Sequence, residues 1–437
     1  MNTSGEADIE RGGRETLMAI DDLPVEVLWM MLREKVDRVD RVACRRVSRV
    51  WRQVLMAPGW RQTRRTPVGR SDKADARAYM AAVAREGRVA VIKWARSEGC
   101  SWDASACASA AEGGHLAVLR WARGDGCPWD EWTCASAAKE GHLEVLQWAR
   151  GNGCAWDEWT CACAARGGHL DVLKWLRASG CPWKESTCAQ AAKGGHWEVL
   201  KWARGSGCPW AVSACACAAE SGHLKVLQWL RANGCPWDTY TCEQAAGGGH
   251  LEVLKWAREN GCPWGSWTCF RAARGGHLEV LKWSRANGCA WNKSTCAWAA
   301  CGGHTEVLIW AYENGCPWDE WTCTHAARGG HLGVLKWARK NGCPWDRWAC
   351  ADAASEGHLE VLQWARENGC PWDEGACLGA AGNGRLKVLE WLRANGCPWD
   401  DGACAAAAEK DGWTEVAEWV RANGCSQDAD REGDCDT

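Results

Sequence analysis

One Phe and three Tyr stand beside 36 Trp in a chain of 437 residues. So strong a skew among the aromatics points to one motif copied many times, and internal repetition is the first thing to examine. Long apolar runs are missing too. No stretch approaches the roughly 18 apolar residues of a membrane-crossing helix. The N-terminus, MNTSGEADIERGGRE, lacks the apolar centre of a signal peptide. A strong charge of either sign is also absent: the formal net charge is −3 and the pI about 6.4, so the whole chain is no binder of polyanions. No phosphate-binding loop, nucleophile motif or unique carboxylate pair occurs, and this speaks against an enzyme. Despite 30 cysteines there is no C-x-x-C. That many thiols would fit a secreted disulfide scaffold. Without a signal peptide, the expectation is an intracellular chain, cytoplasmic or nuclear, with reduced thiols that act as small hydrophobes.

What is present is a period. Gly-Cys recurs with its Cys at 100, 127, 154, 181, 208, 235, 262, 289, 316, 343, 370 and 397, each step 27 residues, and once more at Cys425 after 28. Counting that Cys as position 1, the consensus is C-P-W-D-x-x-T-C-A-x-A-A-x-G-G-H-L-E-V-L-K-W-A-R-x-N-G. A degenerate first copy and a longer last one bring the array to 13 repeats over residues 73–424. A period this strict implies a solenoid in which each repeat touches its neighbours.

Each repeat predicts two short helices. The first covers positions 5–13, with Cys at 8 and Ala at 11 and 12 on one stripe. Gly-Gly at 14–15 stops it, because Gly suits the left-handed position after a helix. The second covers positions 17–25, as in 332–340, with Leu, Val, Leu, Trp and Ala making a wide apolar band. Asn-Gly ends it, and Pro at position 2 forbids continuation. Helices this short are marginal alone, so each repeat depends on its neighbours. The terminal copies are atypical as expected for caps: Met80 replaces the second Cys and Arg88 the His in the first, and Trp413 replaces the His in the last.

The segment GCPWDEWTCTHAARGGHLGVLKWARKN, residues 315–341, poses the functional question. Alone, Cys316, Cys323, His325 and His331 look like metal ligands. A zinc site wants four ligands converging tetrahedrally, whereas these cysteines recur in nearly every copy at places that ask for a small apolar residue. No metal and no cofactor is expected. Ten of the 11 histidines occupy position 16, after Gly and before the second helix. A catalytic histidine would be singular; ten with the same flanks point to a structural task, such as satisfying free backbone groups at a helix end. Trp at positions 3 and 22 recurs in nearly every repeat and is expected in the core, stacked along the array.

Other places vary. Position 6 carries Trp132, Trp159, Tyr240, Trp267, Trp321 and Trp348, but Ser or Gly elsewhere. Positions 9, 10 and 13 vary as well and include Phe270, Arg271, Trp298, His325 and Arg328. Variation at fixed places on a fixed scaffold is how a recognition surface reads, and aromatic and Arg side chains are the usual anchors of interfaces. These 11 residues are the candidate target-binding surface. The alternative for position 6 is a ring that only covers a ridge between repeats.

The rhythm A-A-x-x-G-H-x-x-V-x-x-L, seen in TCAQAAKGGHWEVLKWARGSGCPW (187–210), resembles an ankyrin repeat, with G-C-P-W-D where ankyrins carry G-A-D-V-N. The copy has 27 residues where ankyrins usually have 33, and x-T-C-A replaces the T-P-L-H signature. The resemblance implies an all-α solenoid of helical pairs that binds proteins and catalyses nothing; the short connection tells against binding through hairpin tips. Upstream, LPVEVLWMMLREKVDRVDRVACRRVSRVWRQVL (23–55) resembles an F-box. That resemblance implies three small helices over residues 21–56 that dock on the small adaptor of cullin–RING ubiquitin ligases, through Leu23, Pro24, Val27, Leu28, Leu32, Val47 and Trp51. Arg46 departs from the pattern at a usually apolar place. Between Arg33 and Arg70 there are 12 basic residues against three acidic ones, which suits an acidic partner surface or, more plainly, a solvated helix and a basic linker.

The expected order is a disordered stretch 1–20, the F-box-like segment 21–56, a basic linker 57–72, the ankyrin-like array 73–424 and a disordered acidic tail 425–437. The expected function is the substrate-recognition subunit of a ubiquitin ligase, with the alternative of an interaction scaffold without a ligase role. The expected partners are the ligase adaptor and an unknown target protein; membrane and nucleic acid are not expected, nor is self-association. Such arrays behind an F-box resemble proteins of giant DNA viruses and some protists, in which case the ligase is the host's.

Overall fold

The computed structural model describes residues 70–97 and 99–423. The F-box-like segment with its seven named residues, the stretch 1–20 and the tail 425–437 lie outside the described residues, as does the linker up to residue 69. The described residues hold 26 helices and no strand, in a run of helical pairs. The fold is an all-helical repeat solenoid. The described residues divide into two compact units, one ending at Trp183 and the other beginning at Lys184, each a run of the same repeat. Residues 70–72, read as linker, are the first turn of the opening helix Arg70–Arg85.

The repeat that begins at Cys316 shows why the sequence folds this way. Its first helix is Glu320–Arg328 and its second Leu332–Lys340, which are positions 5–13 and 17–25. Asp319 stands in extended backbone and its carboxylate accepts the Trp321 N–H at 3.2 Å, satisfying one of the free donors of the helix start. Seven other repeats use an Asp at position 4 in the same way, and Asn292 serves in another. Behind the first helix, Gly330 adopts φ +74°, and the His331 N–H reaches back to the Ala326 carbonyl at 2.9 Å. That bond is the six-to-one closure of a Schellman turn. The second helix ends alike, with the Cys343 N–H on the Ala338 carbonyl at 3.0 Å.

Within each compact unit the first helices of successive repeats stack on one another, and each second helix lies on the first helix of its own repeat. Small side chains make this stacking close: Cys323, Ala326 and Ala327 have no exposed surface. On the second helix Val334, Leu335 and Ala338 are buried, while Leu332 and Trp337 are half-buried. The buried band is therefore narrower than the five residues expected. Cys at position 1 also ties repeats together. Its thiol donates to the carbonyl at position 4 of the preceding repeat, as Cys343 does to Asp319 at 3.4 Å and Cys262 to Asp238 at 3.3 Å.

The tryptophans at positions 3 and 22 are not core, contrary to the expectation. All that are described are half-buried. In most repeats the two meet edge to face, as in Trp318–Trp337 at 5.9 Å and Trp102–Trp121 at 5.5 Å. The Arg at position 24 of the preceding repeat covers one face of the position-3 ring. Arg150 lies over Trp156 at 4.2 Å and donates to the Cys154 carbonyl at 3.2 Å; Arg96 does the same to Trp102 and Cys100. A guanidinium held on a ring face is a cation–π contact, and it needs one side open to water for the charge. Where Arg gives way to Tyr312, the phenol stacks on Trp318 at 4.1 Å instead.

Candidate interaction surface

The position-6 aromatics stand on the first turn of the first helix and point to solvent. Trp267 is 60% exposed and Trp132 57%, and Trp159, Tyr240, Trp321 and Trp348 are exposed as well. In the first compact unit the surface comprises Trp132 and Trp159.

In the second unit the rings are joined. Trp267 meets Phe270 at 4.8 Å, Phe270 meets Trp298 at 5.5 Å, Trp298 meets His325 at 5.0 Å, and His325 meets Trp321 at 5.8 Å, all edge to face. Each such contact contributes about 0.5–1.5 kcal/mol beyond area burial. This row runs over three successive first helices. Phe270, read from sequence as surface, is buried at 7% exposure. Position 9 faces inward in most repeats, so Phe270 supports the neighbouring tryptophans and does not itself meet a partner. Trp298, Arg271 and His325 are half-buried, and Arg328 is exposed.

Charge surrounds the row. Arg274 lies over Trp298 at 4.8 Å. Arg328 faces Glu356 at 3.6 Å, Lys293 pairs with Asp319 at 2.8 Å, and Arg347 pairs with Asp373 at 3.1 Å. Exposed pairs of this kind add little to stability. The His325 ring donates through Nδ1 to the Trp321 carbonyl at 2.9 Å. Burial holds His325 below the ordinary imidazole range, against the pull of that carbonyl. Burial also lifts the Asp352 carboxyl, with Arg328 and His325 drawing it back. Burial thus favours the uncharged imidazole of His325, a flat hydrogen-bonding element of the row.

Residues 134–177 match the family model of ankyrin repeats (many copies). In that stretch the chain carries ankyrin repeats, a protein-interaction module. No curated protein matches the chain in sequence. Among solved structures, the pentatricopeptide repeat protein PPR10 in complex with an 18-nt psaJ RNA element is similar at 14% identity, covering 91% of this chain and 67% of that one, with a TM-score of 0.34. The human ASB11 ankyrin repeat domain is similar at 17% identity, covering 41% of this chain and 96% of that one, with a TM-score of 0.32.

The recurring Cys and His of these ankyrin-like repeats do structural work. Every described cysteine is free, and those at positions 1 and 8 are buried. A hydrogen bond to Cys127 together with burial holds the Cys107 thiol far above the ordinary range, and burial pushes Cys404 up to about 11. The contact with Cys107 draws its partner Cys127 down, so the pair shares one hydrogen bond, and both thiols are buried away from any solvent-borne reactant. Among the described residues no group of three or more His, Cys, Asp and Glu is placed to hold a metal. The position-16 ring lies between glycines and donates through Nε2 to the carbonyl at position 13 of the preceding repeat: His331 to Cys301 at 2.9 Å, His142 to Glu112 at 3.1 Å. The substitutes keep the bond. Arg385 donates to Ser355 at 3.1 Å, and Trp413 donates through Nε1 to Gly382 at 2.9 Å. What position 16 requires is an N–H donor on a flat group, not an imidazole.

Three features escaped the sequence reading. Arg at position 24, in the last turn of the second helix, stands six residues before the next Trp, a spacing visible in the sequence as in Arg96 and Trp102 or Arg150 and Trp156. Cys301, at the end of the helix that carries Trp298, is half-buried beside the row. Asp352 continues the row of position-10 side chains one repeat beyond His325.

Proposed function

We propose that the array is a protein-recognition surface and that the whole chain is the substrate-recognition subunit of a cullin–RING ubiquitin ligase, acting in the cytoplasm or nucleus. The observation that carries the first part is the exposed, varying aromatics on the first-helix face of an otherwise uniform scaffold. Large rigid rings offer contact area at little entropic cost, which is why they anchor interfaces. Among the described residues no helix is long and apolar enough to cross a membrane. The second part is supported by the F-box resemblance of residues 23–55 alone. In this reading the chain performs no chemistry; it raises the effective concentration of a target's lysines near the ligase. A scaffold without ligase role is the competing reading. Purification of the intact protein with its ligase adaptor, lost in the Leu23→Ala, Pro24→Ala double variant, is the expected result. Absence of any adaptor from the intact protein leaves the scaffold.

A further inference from the structure

At three places a cation at position 5 pairs with the position-4 carboxylate of the next repeat. Arg77 faces Asp103 at 3.6 Å, Lys293 faces Asp319 at 2.8 Å and Arg347 faces Asp373 at 3.1 Å. Each carboxylate divides its oxygens in the same way: Oδ1 caps its own helix and Oδ2 takes the cation. Arg347 also lies over the exposed Trp348 ring at position 6, 5.6 Å from its centre. A cation at this place thus meets both a carboxylate and an indole face.

The repeats that begin at Cys127 and Cys154 keep the carboxylate and the ring without the cation. Their first helices, Glu131–Lys139 and Glu158–Gly167, stack on one another. Asp157 holds the place of Asp373, and its Oδ1 caps the Trp159 N–H at 3.0 Å. Trp132 holds the place of Trp348 and is 57% exposed. Where the equivalent of Arg347 would stand there is Glu131, itself exposed. Among the described residues neither Glu131 nor Asp157 has an ion-pair partner. The basic residues of these two helices, Lys139 and Arg166, stand at their far ends. Two carboxylates brought to one place repel, and a cation between them relieves both. The similar place at Glu320 and Asp346 differs, because Lys293 lies within electrostatic reach of Glu320.

Resting on the reading of this face as a recognition surface, we propose that Glu131, Trp132 and Asp157 bind a basic side chain of a partner protein, an Arg or Lys that takes the place Arg347 fills from within the chain. Its charge meets the Glu131 and Asp157 carboxylates, and its stem or guanidinium face lies on the Trp132 ring. Trp159, exposed one repeat on, offers apolar contact to the residues that flank the cation. Arg suits the place better than Lys, because a flat guanidinium stacks on a ring while its edge donates to a carboxylate.

The test is selection of a random dodecapeptide library, displayed on phage, on the full chain at low ionic strength. Enriched peptides are expected to carry Arg or Lys beside an apolar residue. Synthetic copies should lose affinity about tenfold or more when the peptide's Arg becomes citrulline or its Lys acetyl-lysine, which needs no change to the protein. Asp157→Asn should cost as much, and Asn292 shows that Asn caps the helix at this position. Glu131→Arg rebuilds the arrangement of Arg347 and should abolish binding by filling the place from within. Binding undiminished in Glu131→Arg overturns the proposal. Peptides without Arg or Lys that ignore the charge changes but are lost in Trp132→Ser, Trp159→Ser also overturn it and leave the recognition surface standing. Tighter peptide binding once Arg61, Arg64 and Arg65 become Gln would make the chain's own basic stretch the occupant. Self-association removed by Glu131→Arg would make a second copy the occupant, and either result overturns a partner. Peptides indifferent to every change, or no enrichment at all, overturn the proposal and count against the recognition face as well.

Discussion

Leu335→Ala lowers the unfolding free energy by about 2–5 kcal/mol, the range of large-to-small changes in a rigid core. Leu335 has no exposed surface and stands at position 20, which is Leu in the repeats on either side, at Leu308 and Leu362. The site has little means of closing over the loss. Its repeat's first helix offers Ala and Cys, side chains too short to swing into a hole, and the second helix lies against that first helix. Because each repeat is held by its neighbours, the damage spreads to them. Urea unfolding followed by circular dichroism should show the midpoint falling. A midpoint unchanged would mean that the second helices contribute little to the array.

Gly303→Ala is expected to cost about 2–4 kcal/mol through two separate effects. Gly303 sits at φ +73°, where a Cβ meets its own backbone. That Cβ would also stand 2.7 Å from the His331 ring. The ring must move, and moving it breaks the 2.9 Å bond from Nε2 to the Cys301 carbonyl. Gly124→Ala is the control: it lies at a second-helix end where a Cβ meets nothing within 4 Å, and it should change stability by less than about 0.5 kcal/mol. Equal melting of the two variants would show that the position-16 wedge does not hold repeats together.

The repeat and its helices were legible because their signals are local. Gly-Gly and Asn-Gly mark the stops, Asp at position 4 marks the start, and the expected limits of Leu332–Lys340 coincide with the observed helix. The burial of Cys316 and Cys323 followed from the need for small apolar side chains at a tight stack. What was not legible depends on what the next repeat brings. Trp318 and Trp337 looked like core because they recur and are large, yet recurrence reflects their contact with each other and with the residue at position 24 of the repeat before. Phe270 looked like surface because it varies, whereas position 9 faces inward and its variation is a matter of packing. Trp321, His325 and Trp298 were singled out one by one; that they meet as a row comes from the register of the two stacked helices that carry them.

The most direct measurement sets the full chain beside the same chain with Trp132, Trp159, Tyr240, Trp267, Trp321 and Trp348 all replaced by Ser, the residue the array itself places there at 186, 213 and 294. Each is purified from cells with its bound proteins and then unfolded in urea. The account predicts that stability changes by no more than about 0.5 kcal/mol per site, that the target protein is lost, and that any ligase adaptor stays bound. A target retained in full, or a loss of stability per site as large as that of Leu335→Ala, contradicts it.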